Sequence, residues 1–184
     1  MNKEKIQKLI YRWRVRVGLF CMIPVLILSK PNFYYFMAGI IISSIGLLIR
    51  IWASGYIMKE KKLTICGPYQ YTRNPLYLGN LFLIAGIVCL SHSYWILLCF
   101  ILYIALFYPV IIHYENQRME RLFPHEFSKY KKNIPSLFPK LKPYSSSCQT
   151  NFSRDLFMKN KEYRASLGMI LLWLLIYLKM VFFG

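Results

Sequence analysis

Five apolar runs dominate the sequence and limit what the chain can fold into. They cover residues 17–29, 33–52, 76–91, 93–114 and 167–183. A helix that crosses a bilayer needs about 20 mainly apolar residues, and the second, fourth and fifth runs meet this requirement directly. The first run meets it if its helix begins near Tyr11 with the arginines reaching the interface, and the third is short. We therefore predict an all-α, polytopic membrane bundle of about five transmembrane helices.

Short polar breaks and prolines divide these runs. The sequences "SKPN" (29–32) and "SHS" (91–93) separate neighbouring runs, so each pair is predicted to form a helical hairpin. Pro24 and Pro109 lie inside apolar runs and predict kinks, which membrane helices tolerate. The first run has no small-x-small cleavage site after it, so we interpret it as a retained helix and not as a secretory signal.

The basic residues gather on one side of the predicted bundle. All of the 24 Lys and Arg except Lys30 and Lys179 lie in segments 3–16, 50–75 and 118–164. The positive-inside rule then places these segments, the N-terminus and the active site on the cytoplasmic side. A net charge of +17 on a chain that is 57% hydrophobic suits a basic face against membrane lipid. A nucleic-acid partner is not expected, because such binders spread basic charge over a soluble surface.

The five cysteines show no spacing typical of a metal site, and no metal is predicted. Cys21, Cys89 and Cys99 lie in apolar runs and are expected to be small packing residues. Cys148, in "SSSCQT", is interpreted as an exposed thiol in preference to an acylation site. The odd, unpatterned count fits a reducing cytoplasmic face.

The stretch "GPYQYTRNPLYLG" (67–79, called the site loop below) carries more fixed geometry than a simple connection needs. Gly67 and Pro68 predict a turn, and Pro75 suits the first position of a new helix. Gly79 and Gly86 are seven residues apart on one helix face, which allows a backbone or a ligand to come close.

Arg73, the Tyr77 ring and the open amides of the helix start would meet at the membrane boundary. A helix start beside an arginine is a ready anion site. An arginine that reaches lipid phosphate and tyrosines of the interfacial belt explain the same residues equally well.

Glu115, at the end of the fourth run, is the second candidate. A carboxylate next to a membrane span is costly and suggests a function, although an i,i+3 pair with Arg118 would explain it structurally. Glu120 and Glu126 lie further along the chain and are expected to be solvated. His113 is off the helix face of Glu115, so a metal pair is not expected.

The sequences "GPYQYTRNPLYLGN" and "ENQRMERLFPHEFSKYKKNIPSLFP" together resemble the isoprenylcysteine carboxyl methyltransferase and phospholipid methyltransferase superfamily. The positions that match its two motifs are Gly67, Tyr69, Arg73, Pro75, Tyr77 and Gly79 in the first, and Glu115, Met119, Phe123, Phe127 and Tyr130 in the second. The resemblance covers roughly residues 46–139. Asn74 stands where many members have His, Asn116 replaces the second acid of a pair, and Pro124 replaces a Gly.

The resemblance implies an integral membrane methyltransferase that uses S-adenosylmethionine, with isoprenylcysteine-type carboxyl O-methylation as the expected reaction. It implies catalytic roles for Arg73 and Glu115, and a lipophilic methyl acceptor that enters from the bilayer. The cofactor-binding residues that it implies are Tyr69, Arg73, Asn74, Pro75, Tyr77, Leu78, Gly79, Glu115 and Asn116. Residues 1–144 would form the membrane-embedded core, and 145–184 a linker with an extra C-terminal membrane helix.

Other functions stay open on the sequence. Phospholipid N-methylation is the alternative within the class. An NADPH-dependent steroid or enone reductase has a similar helical core, but it would need a site for a second, phosphate-rich cofactor half, for which the chain offers only the basic stretch 129–142. A basic membrane scaffold explains the charge and hydrophobicity but not two motifs in matching order. The sequence does not select an oligomeric state.

Overall fold

A computed structural model describes residues 3–58, 61–144, 148 and 150–183. These residues form α-helices and one short 3-10 turn at Gly67–Gln70, without a strand among them, which confirms the predicted all-α fold. The α-helices in chain order are α1 (Lys3–Phe20), α2 (Met22–Leu28), α3 (Phe33–Ser54), α4 (Pro75–Ser91), α5 (Tyr94–Leu122), α6 (Pro124–Asn133), α7 (Arg154–Lys159) and α8 (Tyr163–Phe183).

Three helices, α3, α5 and α8, are long and apolar enough to cross a membrane. Only 33%, 22% and 17% of their most apolar windows are buried inside the protein. Exposed apolar surface on this scale is rare in soluble monomers and suits contact with lipid. Arg16–Leu28 and Pro75–Ser91 are shorter apolar helical segments. The structure thus confirms an all-helical chain with three helices that could cross a membrane, while the predicted total of about five depends on these two shorter segments.

The predicted kink in the first apolar run is confirmed, and it divides the run into two helices. α1 ends at Phe20 and α2 begins at Met22. Pro24 has no amide hydrogen for the carbonyl of Phe20, and its ring would clash with that carbonyl in a continuous helix. Pro109, in contrast, lies inside α5, which continues beyond it to Leu122.

The predicted hairpin between the third and fourth runs is confirmed. Only His92 and Ser93 separate α4 from α5, and His92 has a positive φ of 46°. The polar break after α2 reaches the same hairpin, because the Lys30 amide donates to the Ser91 carbonyl at 2.8 Å.

The chain divides into two compact units. Unit 1 comprises Met1–Ser43, Ile84–Arg118 and Leu171–Gly184, and unit 2 comprises Ser44–Leu83 and Met119–Ile170. Helices α3, α4, α5 and α8 contribute residues to both. The boundary that the sequence predicts between residues 144 and 145 stays a prediction.

Glycines bring the backbones of α3 and α4 into contact within each unit. In unit 1, a Cβ atom added to Gly39 would lie 2.6 Å from the Gly86 carbonyl oxygen. In unit 2, a Cβ atom on Gly46 would lie 2.6 Å from the Gly79 carbonyl oxygen. No side chain fits into either gap, so the spacing of Gly79 and Gly86 serves the approach of another helix, as one of the two predicted uses required.

Polar contacts fix α8 in unit 1. The Trp173 indole Nε1 donates to Ser43 Oγ at 3.2 Å. Lys179 Nζ donates to the carbonyls of Leu26 and Ile27, at 2.8 and 2.9 Å. A cation at the carbonyl end of α2 satisfies groups that have no partner inside that helix and complements the helix dipole.

In unit 2, an arginine on α3 joins α4 to the chain that precedes α8. Arg50 Nη1 donates to Asn80 Oδ1, and Arg50 Nη2 lies 2.6 Å from Glu162 Oε2. The side chains of Arg50 and Glu162 are only 15% and 12% exposed. A charge pair with so little solvent contact tolerates the loss of one partner poorly, since the other charge then stays buried alone.

We expect Gly46→Leu to lower the free energy of unfolding by about 1–3 kcal/mol or more, because its side chain has to separate α3 from α4. The matched control is Gly168→Leu, since nothing lies within 4 Å of a Cβ atom added at Gly168 on α8. Thermal unfolding of both variants in the same detergent measures the effect. Equal stability of the two variants would show that the α3–α4 contact does not hold the bundle.

Candidate functional site

The site loop begins with a tight 3-10 turn. Gly67 has a φ of +60°, a backbone conformation that favours glycine, and Pro68 follows at the start of the turn. The Tyr69 amide donates to the Cys66 carbonyl at 3.2 Å, and the Tyr71 amide to the Pro68 carbonyl at 3.1 Å. The turn that the sequence predicted from Gly67 and Pro68 is confirmed.

Residues 135–140, called the anchor segment, hold the middle of the site loop. The Arg73 amide donates to the Pro135 carbonyl at 3.0 Å, and the Lys140 amide to the Tyr71 carbonyl at 2.9 Å. Thr72, which is 2% exposed, donates through Oγ1 to the Leu137 carbonyl at 3.0 Å. These bonds satisfy backbone groups that would otherwise lack partners away from water. They join the site loop to the "IP" stretch of the second motif.

Helix α6 supports the loop from another side. Phe127, Tyr130 and Ile134, each 2% exposed, pack with Leu63 in one buried cluster. The Tyr130 hydroxyl donates to the Tyr69 carbonyl at 2.5 Å. Burial raises the pKa of this hydroxyl above its usual value, which keeps it protonated and able to donate.

Arg73 lies partly buried beside this cluster. Its guanidinium carbon is 5.9 Å from the centroid of the Phe127 ring, within the range of a cation–π contact. Burial lowers the pKa of Arg73, because loss of water disfavours the charged form. Guanidinium groups remain charged in proteins nonetheless. Arg73 is thus a partly desolvated cation, and the anchor segment fixes the backbone of this residue.

Backbone amides at the start of α4 already have hydrogen-bond acceptors within the chain. The Asn74 carbonyl accepts from the amides of Tyr77 and Leu78, at 3.0 and 3.1 Å. The expectation that the amides of the helix start are open to an anion is therefore wrong for these two residues. Pro75 begins α4 and is buried, as predicted, and the Asn74 side-chain amide donates to the Ser136 carbonyl at 2.8 Å.

The structure gives structural explanations for three of the predicted cofactor residues. Tyr69 is 6% exposed and belongs to the core. Asn74 fastens the anchor segment. A Cβ atom added at Gly79 would lie 2.6 Å from Arg50 Cγ and 2.9 Å from the Gly46 carbonyl oxygen, so this face of the glycine is already filled. Their binding roles stay predictions, as do those of Tyr77 and Leu78, which are partly exposed.

The loop residues and the predicted acid belong to different units. Residues 67–79 lie in unit 2, whereas Glu115 and Asn116 lie in unit 1, half-buried on α5. Further along the chain, Glu120 is exposed and pairs with Lys131 at 2.6 Å, as expected of a solvated acid. The catalytic role of Glu115 stays a prediction.

Pro124, which departs from the family pattern, opens α6. Its fixed φ suits the first helical position, where no amide hydrogen is needed. Pro124 is thus compatible with the start of α6, whose buried residues are Phe127 and Tyr130.

Two contacts that the sequence analysis missed join the C-terminal part of the chain to this unit. One is the Arg50–Glu162 pair. The other is a disulfide between Cys66 and Cys148, whose Cα atoms are 5.7 Å apart. The interpretation of Cys148 as an exposed thiol is wrong, because folding brings together two cysteines that are 82 residues apart. An arginine inside an apolar run was the available signal for the first contact, and no spacing signalled the second.

Comparison with known proteins gives a family and two named relatives. The family model described as phospholipid methyltransferase matches residues 33–126. The cobalt-zinc-cadmium resistance protein CzcN of Cupriavidus metallidurans is 32% identical over 67% of this chain and 56% of its own length. The nickel-cobalt-cadmium resistance protein NccN of Alcaligenes xylosoxydans xylosoxydans is 34% identical over 60% of this chain and 51% of its own. The chain thus spans about half the length of these relatives, and no solved structure matches it.

We expect Tyr130→Phe to lower the free energy of unfolding by about 1–3 kcal/mol, because the buried Tyr69 carbonyl loses a donor. Tyr94→Phe is the control, since Tyr94 is 90% exposed and its variant should stay within about 0.5 kcal/mol of the parent. Denaturant unfolding in detergent gives both values. A Tyr130→Phe variant as stable as the control would mean that this bond does not support the loop.

Proposed function

Because the chain belongs to the phospholipid methyltransferase family, we propose that it is an integral membrane methyltransferase that uses S-adenosylmethionine. The family match, which spans residues 33–126, is the observation that carries this proposal. It includes the whole site loop and Glu115. The finer reaction that we propose is carboxyl O-methylation of a lipophilic acceptor of the isoprenylcysteine type.

The residues that match the two motifs carry chemical groups that complement those of S-adenosylmethionine. When bound, this cofactor supplies a methyl group on a positively charged sulfonium. Arg73 is partly desolvated and offers a bidentate grip for a carboxylate, either of the cofactor or of the acceptor. We assign to Glu115, with Asn116 beside it, the binding of the cofactor's ammonium or ribose hydroxyl groups. We assign to the ring of Tyr77 a cation–π contact with the sulfonium of the cofactor.

In this reaction the protein itself positions the two reactants and excludes water. Correct orientation of two reactants reaches effective molarities of about 10⁵–10⁸ M in model systems. A rigid loop serves this purpose, and the hydrogen bonds of Thr72, Arg73 and Asn74 to the anchor segment make it rigid. A carboxylate acceptor is already a nucleophile, so no general base is required.

A lipid-like acceptor suits the surface of the helices. Trp95 and Leu106 on α5, for example, are 72% and 64% exposed. Such faces contact hydrocarbon in a bilayer, and an acceptor dissolved there reaches the protein sideways. Membrane lipid and a lipophilic acceptor are therefore the partners that we propose.

Phospholipid N-methylation is the second candidate, favoured by the description of the matching family. An amine acceptor has to lose a proton, and Glu115 is the carboxylate that we would assign to this task. The names of the two relatives refer to metal resistance. Within the described residues, no group of three His, Cys, Asp or Glu side chains is arranged to hold a metal ion, so these names add no metal site to the proposal.

We further propose that the site loop and the anchor segment face the cytoplasm. The support is the segregation of Lys and Arg in segments 3–16, 50–75 and 118–164. The hairpin tip at His92 and Ser93 then lies on the opposite side of the membrane.

Calorimetric titration of the purified protein with S-adenosylmethionine and S-adenosylhomocysteine tests the cofactor assignment. We expect the wild type to bind both and Glu115→Ala to lose binding. We expect Arg73→Lys to bind about tenfold or more weakly, because lysine cannot make a bidentate contact. Glu126→Ala is the control, since this exposed acid on α6 has no proposed role.

Each arm of this titration has a contradictory outcome. Absence of binding to the folded wild type would overturn the use of S-adenosylmethionine. Unchanged binding in Glu115→Ala would remove this residue from the cofactor site. Wild-type affinity in Arg73→Lys would rule out a bidentate contact with the cofactor.

Labelling of single cysteines with a membrane-impermeant maleimide tests the orientation. In a variant whose native cysteines are serine, we expect Lys61→Cys to react only in inside-out vesicles. Tyr94→Cys, at the opposite hairpin tip, should react only in right-side-out vesicles, since Tyr94 is 90% exposed. The reverse pattern would overturn the proposed orientation.

A further inference from the structure

Residues 150–162, called the strap, run from the disulfide at Cys148 to Glu162 and lie outside the family match. The strap contacts two parts of unit 2, namely the end of α3 and Cys66, the residue immediately before the turn of the site loop. The strap therefore contacts the chain next to the site loop and also leads into the C-terminal helix α8.

The middle of the strap fits closely onto the end of α3. The Ser153 amide donates to the Gly55 carbonyl at 2.9 Å. The Phe152 ring covers Gly55 so closely that an added Cβ atom would lie 2.2 Å from it. Asn160 Nδ2 donates to the carbonyls of Ser54 and Ile57, at 2.9 and 3.2 Å. These contacts give the strap a specific seat.

The two ends of the strap are fastened by different chemistry. At one end, Glu162 pairs with Arg50 at 2.6 Å. At the other end, the Thr150 hydroxyl contacts the Cys66 sulfur at 2.8 Å, and Cys148, two residues before the strap, is bonded to Cys66. The ion pair is independent of redox conditions, whereas the disulfide depends on them.

The location of this disulfide conflicts with an ordinary structural role. The positive-inside rule places the segments of both cysteines in the cytoplasm. Thiols in that compartment are kept reduced, and the disulfides that do form there are usually transient, catalytic or redox-sensing. Three further cysteines, Cys21, Cys89 and Cys99, remain free thiols in the structure.

We propose that Cys66 and Cys148 form a reversible thiol–disulfide switch that locks the strap against the turn of the site loop. The oxidant is a low-molecular-weight disulfide and the reductant is the corresponding thiol. Cysteine pairs with Cα atoms about 4.4–6.8 Å apart can be bridged without movement of the backbone, and the 5.7 Å between these two falls within that range.

The chemistry of closing is thiol–disulfide exchange. The more exposed thiol, Cys148, loses its proton and its thiolate attacks one sulfur of the small disulfide, which releases one thiolate. The Cys66 thiol then loses its proton, and its thiolate attacks Cys148 Sγ and displaces the second thiolate. The two cysteines give up two electrons, the small disulfide becomes two thiols, and the two protons complete them.

Formation of the Cys66–Cys148 disulfide directly affects the site loop. The Cys66 carbonyl accepts the first hydrogen bond of the 3-10 turn, from the Tyr69 amide. The disulfide therefore ties the residue immediately before this turn to the strap, and through the strap to α3. The expected effect on cofactor affinity rests on the proposed methyltransferase function, whereas the closing of the strap rests only on the proposed cytoplasmic orientation.

A redox titration of the full-length protein in detergent tests the switch. The protein is equilibrated with mixtures of glutathione and glutathione disulfide, and alkylation followed by mass spectrometry measures the Cys66–Cys148 bond. As the proportion of glutathione disulfide in these mixtures rises, we expect the Cys66–Cys148 pair to change from fully reduced to fully oxidised. A bond that persists in excess glutathione, or one that never forms, would overturn the switch.

Limited trypsin digestion of the same samples measures closing of the strap. We expect cleavage after Arg154, Lys159 and Lys161 to be about tenfold slower in the oxidised protein, because proteolysis follows the opened population. Cys148→Ser should be cleaved at the faster rate in both states, and Cys89→Ser, the control outside the pair, should behave as wild type. Equal rates in the oxidised and reduced wild type would overturn the lock.

Calorimetry with S-adenosylmethionine in both redox states separates the two proposals. Tighter binding in the oxidised state supports the coupling of the strap to the site, and equal affinity in the two states would overturn that coupling. If neither state binds the cofactor while the redox titration and digestion give the expected results, the proposed function fails and the switch stands.

Discussion

The backbone contact between α3 and α4 depends on four glycines and sets the positions of several other elements. Gly39 meets Gly86 in unit 1, and Gly46 meets Gly79 in unit 2. Lipid gives no hydrophobic driving force for helix association, so close van der Waals packing at small residues is a principal source of stability. The same gap at Gly79 accommodates the stem of Arg50.

Arg50 adds polar contacts to this helix packing. Its guanidinium reaches Asn80 on α4 and Glu162 before α8, so three parts of the chain meet at one cation. A largely buried charge has to be paired, and the pairing therefore specifies where the chain before α8 lies. In unit 1, the bonds of Trp173 and Lys179 continue the attachment of α8.

The rigidity of the site loop comes mainly from residues outside its own sequence. The anchor segment and Tyr130 on α6 supply donors and acceptors to the backbone from Tyr69 to Arg73. Arg73 is thereby presented on a fixed backbone beside Phe127. The strap adds a further attachment at Cys66, although it lies outside the part of the chain that matches the family. The geometry of the loop is thus a property of the whole unit.

The sequence by itself determined the helical class, the long spans, the turn at Gly67 and the order of the two motifs. Each of these depends on local patterns, namely hydrophobic length, proline, glycine and the spacing of residues along one segment. Tertiary structure alone decided the Arg50–Glu162 pair and the Cys66–Cys148 bond. It also gave the Asn74 side chain a hydrogen bond to the anchor segment that the motif does not reveal. These features depend on atoms that are distant in the chain, and no local pattern records which distant groups the folded backbone brings within bonding distance.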